Sequence, residues 1–341
     1  MSRSAGSLGV AVIGLGVGEQ HARAFASHPD CHLRWLYDLD AARATMVMDR
    51  IGAGRPAKSL DEVLGDAAVD VVSIASFDDA HFEQTRAALE AGKHVFVEKP
   101  LCRTEAESAS LKNAWLAAGS PHLCSNLVLR AAPVYVWLRA AIAAGELGEV
   151  YAVDGEYLYG RLEKITHGWR AHVPDYSVLL GGGVHLIDLM MWLTGQRPER
   201  VSAHGNRICT GGTAFRYDDF AAATFLFPGG RHGLIGRITA NFGCVHRHQH
   251  IVRVFGTKAT FVYDDLGPRL HTTRDPSVGA VALTQPALPA TKGDLIPDFV
   301  AGILHGASPA LAAQHEFDVM SASLAADRAA RQQSTEEIHY A

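Results

Sequence analysis

The sequence lacks the features that mark membrane-spanning and nucleic-acid-binding proteins. No run of roughly 18 apolar residues, the length that a membrane-spanning helix needs, occurs in the 341-residue chain. The 31 Lys and Arg residues against 36 Asp and Glu give a formal charge of -5, and basic residues form no cluster. A basic stripe or patch is the usual footprint of a protein that binds nucleic acid or an anionic membrane. We therefore expect neither partner.

Cysteine is scarce, and its pattern is unlike that of a disulfide framework. The five cysteines are dispersed and form no CxxC pair: Cys31, Cys102, Cys124, Cys209 and Cys244. An odd, dispersed set is typical of reduced thiols. Near the N-terminus, the apolar stretch 8–17 is interrupted by glycines and has no small-residue cleavage site, so it indicates a buried strand and not a signal peptide. We expect a cytoplasmic protein.

Short apolar runs alternate with helical patterns over the first 125 residues. Strands are predicted at 8–13, 33–37, 69–75, 94–97 and 123–125, with helices between them. Alternation of this kind indicates parallel strands joined by crossover helices, which is a doubly wound α/β sheet. At roughly 150 residues per domain, the length of the chain favours two domains.

The pattern changes after Asn126. Several later segments alternate in polarity and are separated by turn residues, which is typical of an antiparallel sheet. One helix, predicted over 184–193, interrupts these strands, and the Pro-, Thr- and Ala-rich stretch 268–293 is predicted to be a loop. Two helical segments end the chain. We therefore predict an α/β protein with domains at 1–125 and 126–341.

A glycine-rich turn follows the first predicted strand. Gly14, Gly16 and Gly18 precede a predicted helix, and their missing side chains would let backbone N–H groups approach a pyrophosphate. Asp38 ends the second strand, where a carboxylate can accept hydrogen bonds from a ribose 2′-hydroxyl. An ordinary turn is the alternative, because short glycine runs often mark one. Together, the elements favour a dinucleotide site for NAD; NADP stays open because Arg43 could reach a phosphate.

The first catalytic candidate follows the fourth of these predicted strands. Glu98, Lys99 and Pro100 come directly after the strand at 94–97. Ligands of open parallel sheets bind at the carboxyl ends of the strands, so Lys99 is expected to point toward the cofactor. A lysine desolvated in such a crevice can exchange protons near neutral pH. The alternative is a solvated lysine at a strand end, which is the commoner situation.

The second candidate is a histidine at the start of the predicted helix in the second half. Three glycines at 181–183 precede Val184 and His185, and Asp188 follows three residues later. Residues three apart on a helix share a face. A carboxylate beside an imidazole can fix its tautomer and raise its basicity. A buried histidine satisfied by a helix neighbour is the alternative.

These motifs, in this order, resemble the Gfo/Idh/MocA family of glucose–fructose oxidoreductase, inositol dehydrogenase and rhizopine catabolism. They are Gly14-x-Gly16 with His21, Glu98-Lys99-Pro100 and Gly-Gly-Gly-Val-His185-x-x-Asp188, with further similarity at 145–150 and 255–258. The resemblance implies a Rossmann domain followed by an α/β domain with a large open, mostly antiparallel sheet. It also implies oxidation or reduction of a sugar or cyclitol hydroxyl or ketone with NAD(P).

The resemblance assigns roles to particular residues. Lys99 would be the proton-relay lysine, and His185 its partner at the reacting oxygen. The predicted cofactor contacts are Gly14, Gly16, Gly18, Asp38, Ser76, Glu98 and Lys99. The predicted contacts to a polyhydroxylated substrate are Asn126, Arg130, Tyr159, Trp169, Arg170 and Asp188.

The chain departs from the family pattern at three places. Many catalytic members carry an acidic residue four positions before the histidine, where this chain has Gly181, so Asp188 or Asp175 would have to compensate. The glycine loop is one residue tighter than usual. The family's Thr-Pro-Asn after the strand at 69–75 is replaced by Ser-Phe-Asp at 76–78, although His81 remains.

A row of histidines raises the question of a metal. Cys244, His246, His248 and His250 alternate, which would place them on one face of a strand. Because same-face neighbours on a strand stand about 7 Å apart, four of them cannot easily bind one ion. We predict no metal site and expect this face to line the substrate or contact another subunit. A sheet with an uncovered face favours a homodimer or homotetramer.

The function predicted from the residues and the resemblance together is an NAD-dependent oxidoreductase acting on a sugar, sugar derivative or cyclitol. Two alternatives stay open. One is elimination or glycosidase chemistry on a sugar with tightly bound NAD, and the other is a non-catalytic regulatory protein that responds to NAD(H) or a sugar.

Overall fold

The computed structural model describes residues 7–306 and 309–341, and its contacts divide the chain into two compact units. The first unit comprises Met1–Val128, Ala290–Phe317 and Ala341, and the second comprises Leu129–Pro289 and Asp318–Tyr340. The first boundary lies three residues beyond the predicted 125. At the C-terminal side, the structure groups residues 290–317 with the first unit, where the prediction had assigned them to the second domain.

The first unit is built on a six-stranded parallel sheet in the order β3-β2-β1-β4-β5-β6. Its strands are β1 Leu8–Ile13, β2 Cys31–Tyr37, β3 Arg55–Pro56, β4 Val71–Ile74, β5 His94–Val97 and β6 Leu123–Ser125. Its helices are α1 Gly18–Ser27, α2 Ala41–Ile51, α3 Leu60–Gly65, α4 His81–Glu90 and α5 Glu105–Ala117. The predicted doubly wound sheet is confirmed.

Local chemistry explains where these helices begin. The Asp40 side chain accepts from the Ala42 N–H at the start of α2, and Thr104 with Glu107 forms a capping box at α5. Every residue of β1 is buried. A strand buried on both faces is expected at the centre of a parallel sheet that helices cover on both sides.

The second unit carries a nine-stranded sheet in the order β14-β13-β12-β11-β7-β10-β9-β8-β15. Its strands are β7 Val150–Leu158, β8 Arg200–Asn206, β9 Phe220–Leu226, β10 Ile235–Asn241, β11 Gln249–Gly256, β12 Thr260–Asp264, β13 Gly267–His271, β14 Val281–Ala282 and β15 Thr335–Glu337. All neighbours are antiparallel except β10 and β7, so the predicted mostly antiparallel sheet is confirmed.

Three helices accompany this sheet within residues 129–289: α6 Pro133–Ala143, α7 Glu163–Thr166 and α8 Val184–Thr194. Helix α8 packs closely on the sheet. A Cβ added at Gly155 of β7 would lie 3.1 Å from Leu186 Cβ, and one at Gly236 of β10 would overlap the Met190 sulfur. Glycine on these strands therefore lets the helix approach.

The predicted loop at 268–293 is wrong in part, because it contains β13 and the short β14. Strand β13 pairs with β12 and with β14 through backbone hydrogen bonds. Such bonds do not require apolar side chains, and proline is tolerated near the edge of a sheet.

Two further helices follow, α9 Ile296–His305 and α10 Pro309–Gln332. Helix α9 lies in the first unit, where Phe299 packs 5.4 Å from the Phe96 ring. Just before it, the Lys292 N–H donates to Gln20 Oε1, at 2.9 Å. These contacts explain why residues 290–317 group with the first unit. Within the described ranges, no helix combines the length and apolar character needed to cross a membrane.

Candidate active site

The glycine turn between β1 and α1 has the shape that a dinucleotide requires. Gly14 has a φ of +78°, and a Cβ there would lie 2.6 Å from the backbone of Ala75 and Ser76. A Cβ at Gly18 would come within 3.1 Å of Ala75 Cβ. Gly16, by contrast, is exposed with open space around its Cβ position. Two glycines therefore permit close packing, and the middle one leaves room for a ligand beside the backbone.

Asp38 lies beside this turn, at the end of β2. Its Oδ2 accepts a hydrogen bond from the Leu15 N–H at 2.7 Å, and its Oδ1 accepts from the Asp40 N–H at 3.0 Å. Helix α1 begins next to it, and Val17 at the N-cap position offers no side-chain oxygen to the first N–H groups. An acidic side chain and uncapped helical N–H groups are what a ribose and a pyrophosphate need. The residues present fit a dinucleotide.

The ends of β4 and β5 are held together by His81. This fully buried ring has Nδ1 2.7 Å from the Pro100 carbonyl oxygen and Nε2 3.3 Å from that of Ser76. Ser76 Oγ in turn lies 2.7 Å from Gln84 Oε1. Phe77, which departs from the family pattern, is 49% exposed. His81 therefore fixes the segments that carry Ser76 and Lys99.

A buried polar network surrounds Glu98, the residue before Lys99. Asn126 Nδ2 donates to Glu98 Oε1 and to the Lys292 carbonyl, both at 2.8 Å. His21 Nε2 lies 3.3 Å from the same Glu98 oxygen, and its Nδ1 lies 3.0 Å from Ser73 Oγ. The Asn126 amide, predicted to bind substrate, is therefore engaged by groups of the first unit.

Glu98 is charged in this network. Burial raises the pKa of its carboxyl, but the hydrogen bond and charge of His21, and the charges of Lys99 and Lys292, outweigh it and lower the pKa to about 2. A carboxylate therefore stands beside Lys99 at any physiological pH.

In the second unit, His185 lies in the first turn of α8 and is 5% exposed. Its ring stacks on Tyr157 of β7, with centroids 6.3 Å apart, and meets the edge of His250 of β11 at 6.0 Å. Tyr157 also contacts Phe242, at 5.6 Å, and His248, at 5.3 Å. We call these rings the aromatic cluster: Tyr157, Tyr159, Tyr176, His185, Phe242, His248 and His250.

Asp188 pairs with arginine in this structure. Its carboxylate is fully buried and accepts hydrogen bonds from Arg130 Nε at 2.9 and 3.0 Å. It also accepts one from Arg130 Nη2, at 2.6 Å. Such a forked arrangement is the strong geometry of an arginine–carboxylate pair. Two predicted substrate contacts thus form an ion pair with each other. Asp175, the other predicted compensating acid, is 75% exposed at its side chain and lies 3.8 Å from Arg331.

The remaining predicted substrate contacts lie together in the second unit. The Arg170 guanidinium stacks over Trp169, 4.3 Å from the ring centroid, and lies 5.9 Å from that of Tyr159. Trp169 and Arg170 form a 3-10 turn and are half-buried, whereas Tyr159 is buried against Phe242 at 4.5 Å. An arginine and an indole of this kind can bind hydroxyl groups and the face of a sugar ring.

The prediction that Cys244, His246, His248 and His250 lie on one face of a strand is wrong. Strand β11 begins at Gln249, and residues 244–248 form bends before it. This segment passes close to Gly160, where an added Cβ would overlap the His246 carbonyl oxygen. Only His248 and His250 join the aromatic cluster, with ring centroids 5.2 Å apart. Among the described residues, no group of three His, Cys, Asp or Glu side chains could hold a metal.

Sequence reasoning missed Tyr157, Tyr176 and Lys292. Tyr157 and Tyr159 alternate in sequence, and that spacing could have placed Tyr157 beside Tyr159. No comparable signal exists for Tyr176, which lies outside a regular element, or for Lys292, whose backbone carbonyl makes the contact.

Comparison with known proteins agrees with this geometry. A family model described as "Oxidoreductase family, NAD-binding Rossmann fold" matches residues 8–120, and one described as "GFO/IDH/MocA C-terminal domain" matches residues 135–262. Together they cover more than half of the chain.

Two curated relatives illustrate the similarity. An uncharacterized oxidoreductase, ORF334, of Rhizobium meliloti is 32% identical over 225 residues, which are 65% of this chain and 62% of that protein. Inositol 2-dehydrogenase 2 of Saccharopolyspora erythraea is 28% identical over 203 residues, which are 59% of this chain and 58% of that protein. The chain thus spans about three fifths of the length of these relatives.

Solved structures share the whole fold. A levoglucosan dehydrogenase in complex with NADH superposes with a TM-score of 0.82 at 22% identity, covering 98% of this chain and 100% of that one. A myo-inositol 2-dehydrogenase from Lactobacillus plantarum gives a TM-score of 0.81 at 19% identity, with 98% and 100% covered. With both family models matched in order and the fold shared along its length, the chain belongs to the GFO/IDH/MocA family of oxidoreductases.

Proposed function

We propose that this chain transfers a hydride between NAD and a secondary hydroxyl or ketone of a sugar, sugar derivative or cyclitol. The observation that carries the proposal is the glycine turn, which has open space at Gly16 and the Asp38 carboxylate beside it. The names of similar proteins, inositol 2-dehydrogenase and 1,5-anhydro-D-fructose reductase, support the substrate class.

Backbone groups and one side chain of the first unit would hold the cofactor. Backbone N–H groups at Gly16 and the start of α1 would bind the pyrophosphate, and Asp38 would accept hydrogen bonds from the adenosine ribose. A carboxylate at this place disfavours a 2′-phosphate, so NAD is preferred over NADP. When bound, the nicotinamide supplies the hydride acceptor for oxidation and the donor for reduction.

Lys99 and His185 are assigned to proton transfer. Lys99 Nζ would take the proton of the reacting hydroxyl, and the ionised Glu98 beside it would stabilise the resulting ammonium. The imidazole of His185, held by the rings of Tyr157 and His250, would donate or accept a hydrogen bond at the substrate oxygen.

Substrate contacts are assigned to Tyr159, Trp169 and Arg170, whose donors and ring faces suit a polyhydroxylated molecule. The ion pair between Arg130 and Asp188 would set the position of helix α8 that carries His185. Asn126 would act through its hydrogen bond to Glu98.

We also propose a homodimer or homotetramer in a reducing, cytoplasmic setting. None of the five cysteines, all of which lie among the described residues, forms a disulfide. On the face of the second sheet opposite α8, Asp154 pairs with Arg237 and Glu156 with Arg253, while Ile235 is 44% exposed. An exposed apolar side chain among paired charges suits a subunit interface, which has an apolar centre and a polar rim. Sedimentation of the wild-type protein should give a dimer or tetramer, and Ile235→Asp should shift it toward monomer; a wild-type monomer at micromolar concentration would contradict the proposal.

The activity is tested by a panel of polyols, aldoses, ketoses and cyclitols with NAD and NADH. The expected result is oxidation or reduction that consumes the nicotinamide in proportion to product, followed by absorbance. Product formation without net consumption would instead indicate elimination with tightly bound NAD. Tight NADH binding without turnover of any compound would indicate the regulatory alternative.

A further inference from the structure

Position 181, where many members of the family carry an acid, is filled by another side chain. A Cβ added at Gly181 would overlap Tyr176 Oη and lie 2.9 Å from Tyr176 Cζ, a distance that real Cβ atoms do not adopt. The phenol of Tyr176 therefore occupies the volume that a carboxylate-bearing residue at 181 would need. The glycine and the tyrosine are a matched pair.

The Tyr176 side chain is held in this place by its neighbours. The residue is 4% exposed, and its ring meets Phe215 at 5.9 Å and Phe242 at 6.2 Å, both nearly perpendicular. Phe215 and Phe242 are themselves buried. The backbone between the pair is also fixed, because the Gly181 N–H donates to the Ser177 carbonyl at 2.8 Å.

The hydroxyl is directed toward the turn of helix that precedes His185. Residues 179–183 form a π-helical turn that runs directly into α8, and Gly181 stands four residues before His185. Residues at this spacing are neighbours on a helix surface. A chain of rings also links the two side chains, since Phe242 contacts both Tyr176 and Tyr157, and Tyr157 stacks on His185.

We propose that Tyr176 is a positioning residue for His185, and that its neutral hydroxyl takes the place of the missing acid at 181. The proposal rests on the proposed function for its consequence in turnover, but not for the packing of Tyr176 against Gly181. A carboxylate next to an imidazole favours the charged ring, whereas a phenol fills the same volume without that charge. In this chain, the side chain packed against the turn before His185 is thus neutral.

The other groups near His185 do not replace an acid. Tyr157 of β7 stacks on its ring, and His250 and His248 of β11 lie edge-on in the same cluster. On α8 itself, the carboxylate of Asp188 is bound by the guanidinium of Arg130.

The first test uses the ligand-free protein and histidine side-chain NMR, with the His185 signal assigned from His185→Gln. Tyr176→Phe removes the hydroxyl alone and should shift the His185 pKa by roughly half a unit or more. The double variant Tyr176→Ala/Gly181→Asp should raise it by about one unit, because a carboxylate now stands beside the ring. Tyr217→Phe, the matched loss of a neighbouring hydroxyl, should leave it unchanged. An unchanged His185 signal in Tyr176→Phe would overturn the proposal.

Two further measurements complete the test. Gly181→Asp alone should lower the melting temperature, and adding Tyr176→Ala should recover much of it; a single variant as stable as wild type would contradict the matched pair. With an active substrate, Tyr176→Phe should lower kcat about tenfold and leave KM within about twofold, as expected for a positioning role. If wild type itself turns over nothing, the proposed function fails while the NMR result still decides the role of Tyr176.

Discussion

At the residue scale, Asp38 combines two tasks in one side chain. It accepts a hydrogen bond from Leu15 within the glycine turn, which fixes the turn, and in the proposed function it would also bind the adenosine ribose. A residue that shapes the site and also contacts the ligand is expected to affect both affinity and cofactor choice.

Asp38→Asn keeps the size of the side chain and removes its charge. We expect NADH to bind about tenfold more weakly, equivalent to about 1.4 kcal/mol, while NADPH binding falls less because the repulsion of a phosphate is removed. Fluorescence titration with NADH and with NADPH measures the two dissociation constants and their ratio. An unchanged preference for NADH over NADPH would contradict the role of Asp38.

The pair of Arg130 and Asp188 is a second feature at this scale. Arg130→Met leaves the fully buried Asp188 carboxylate without its forked donor. We expect a loss of about 3–5 kcal/mol in the free energy of unfolding, because an uncompensated buried charge is costly. Urea denaturation measures this value.

The matched control is the double variant Arg130→Met/Asp188→Leu, which removes both charges. It should recover most of the lost stability, since replacing a whole buried pair by apolar groups is often neutral. A single variant within about 1 kcal/mol of wild type would show that the pair contributes little.

At the scale of elements, the sequence predicts those strands and helices whose pattern of buried apolar residues is visible along the chain. The parallel sheet of the first unit is predicted because buried strands such as β1 and β4 read as apolar runs bounded by turns. The motifs at Gly14, Lys99 and His185 are predicted because each depends on a few neighbouring residues.

Contacts between distant segments are not predicted by the sequence. Helix α9 joins the first unit through Phe299 and Phe96, which stand about two hundred positions apart. The place of Tyr176 against Gly181 likewise depends on packing with Phe215 and Phe242. The π-helical turn has no periodic signature, because it inserts one residue into an otherwise ordinary helical pattern.

The glycines of that turn give a prediction about packing. A Cβ at Gly182 would lie 2.5 Å from Tyr157 Cε1 and 2.9 Å from Phe242 Cε2. Gly182→Ala should therefore cost about 1–3 kcal/mol of stability through overpacking. Gly279→Ala, at an exposed position with open space, should stay within about 0.5 kcal/mol of wild type. Equal denaturation midpoints for the two variants would contradict the close packing.

At the scale of the whole molecule, carboxylates in both units set the response to acid. Burial raises the pKa of Glu98 and of Asp66, but hydrogen bonds and basic neighbours lower each to about 2; a hydrogen bond from Arg269 lowers that of Asp264 to about 2. Ordinary values are 4.5 for Glu and 3.8 for Asp. Groups with a lowered folded pKa stabilise the protein fully above the unfolded pKa and lose that contribution as the pH falls toward the folded value.

Stability should therefore decline between pH 4.5 and pH 2. Urea midpoints measured across this range test the expectation. Glu98→Gln, which cannot ionise, should make stability fall less steeply with pH by removing the contribution of Glu98 in the first unit. Asp264→Asn should do the same for the second unit. Parallel plots of urea midpoint against pH for wild type and both variants would contradict the role given to these carboxylates.

Lys99 is the residue on which the proposed chemistry of the whole molecule depends, and comparing cofactor binding with turnover in one variant tests its role. Lys99→Met removes the amino group and keeps most of the length of the side chain. We predict that the variant binds NADH within about threefold of wild type, because in our proposal the glycine turn and Asp38 make the main cofactor contacts. The kcat for the best polyol should fall at least about 100-fold. Normal turnover by Lys99→Met would contradict the assignment of proton transfer to this lysine.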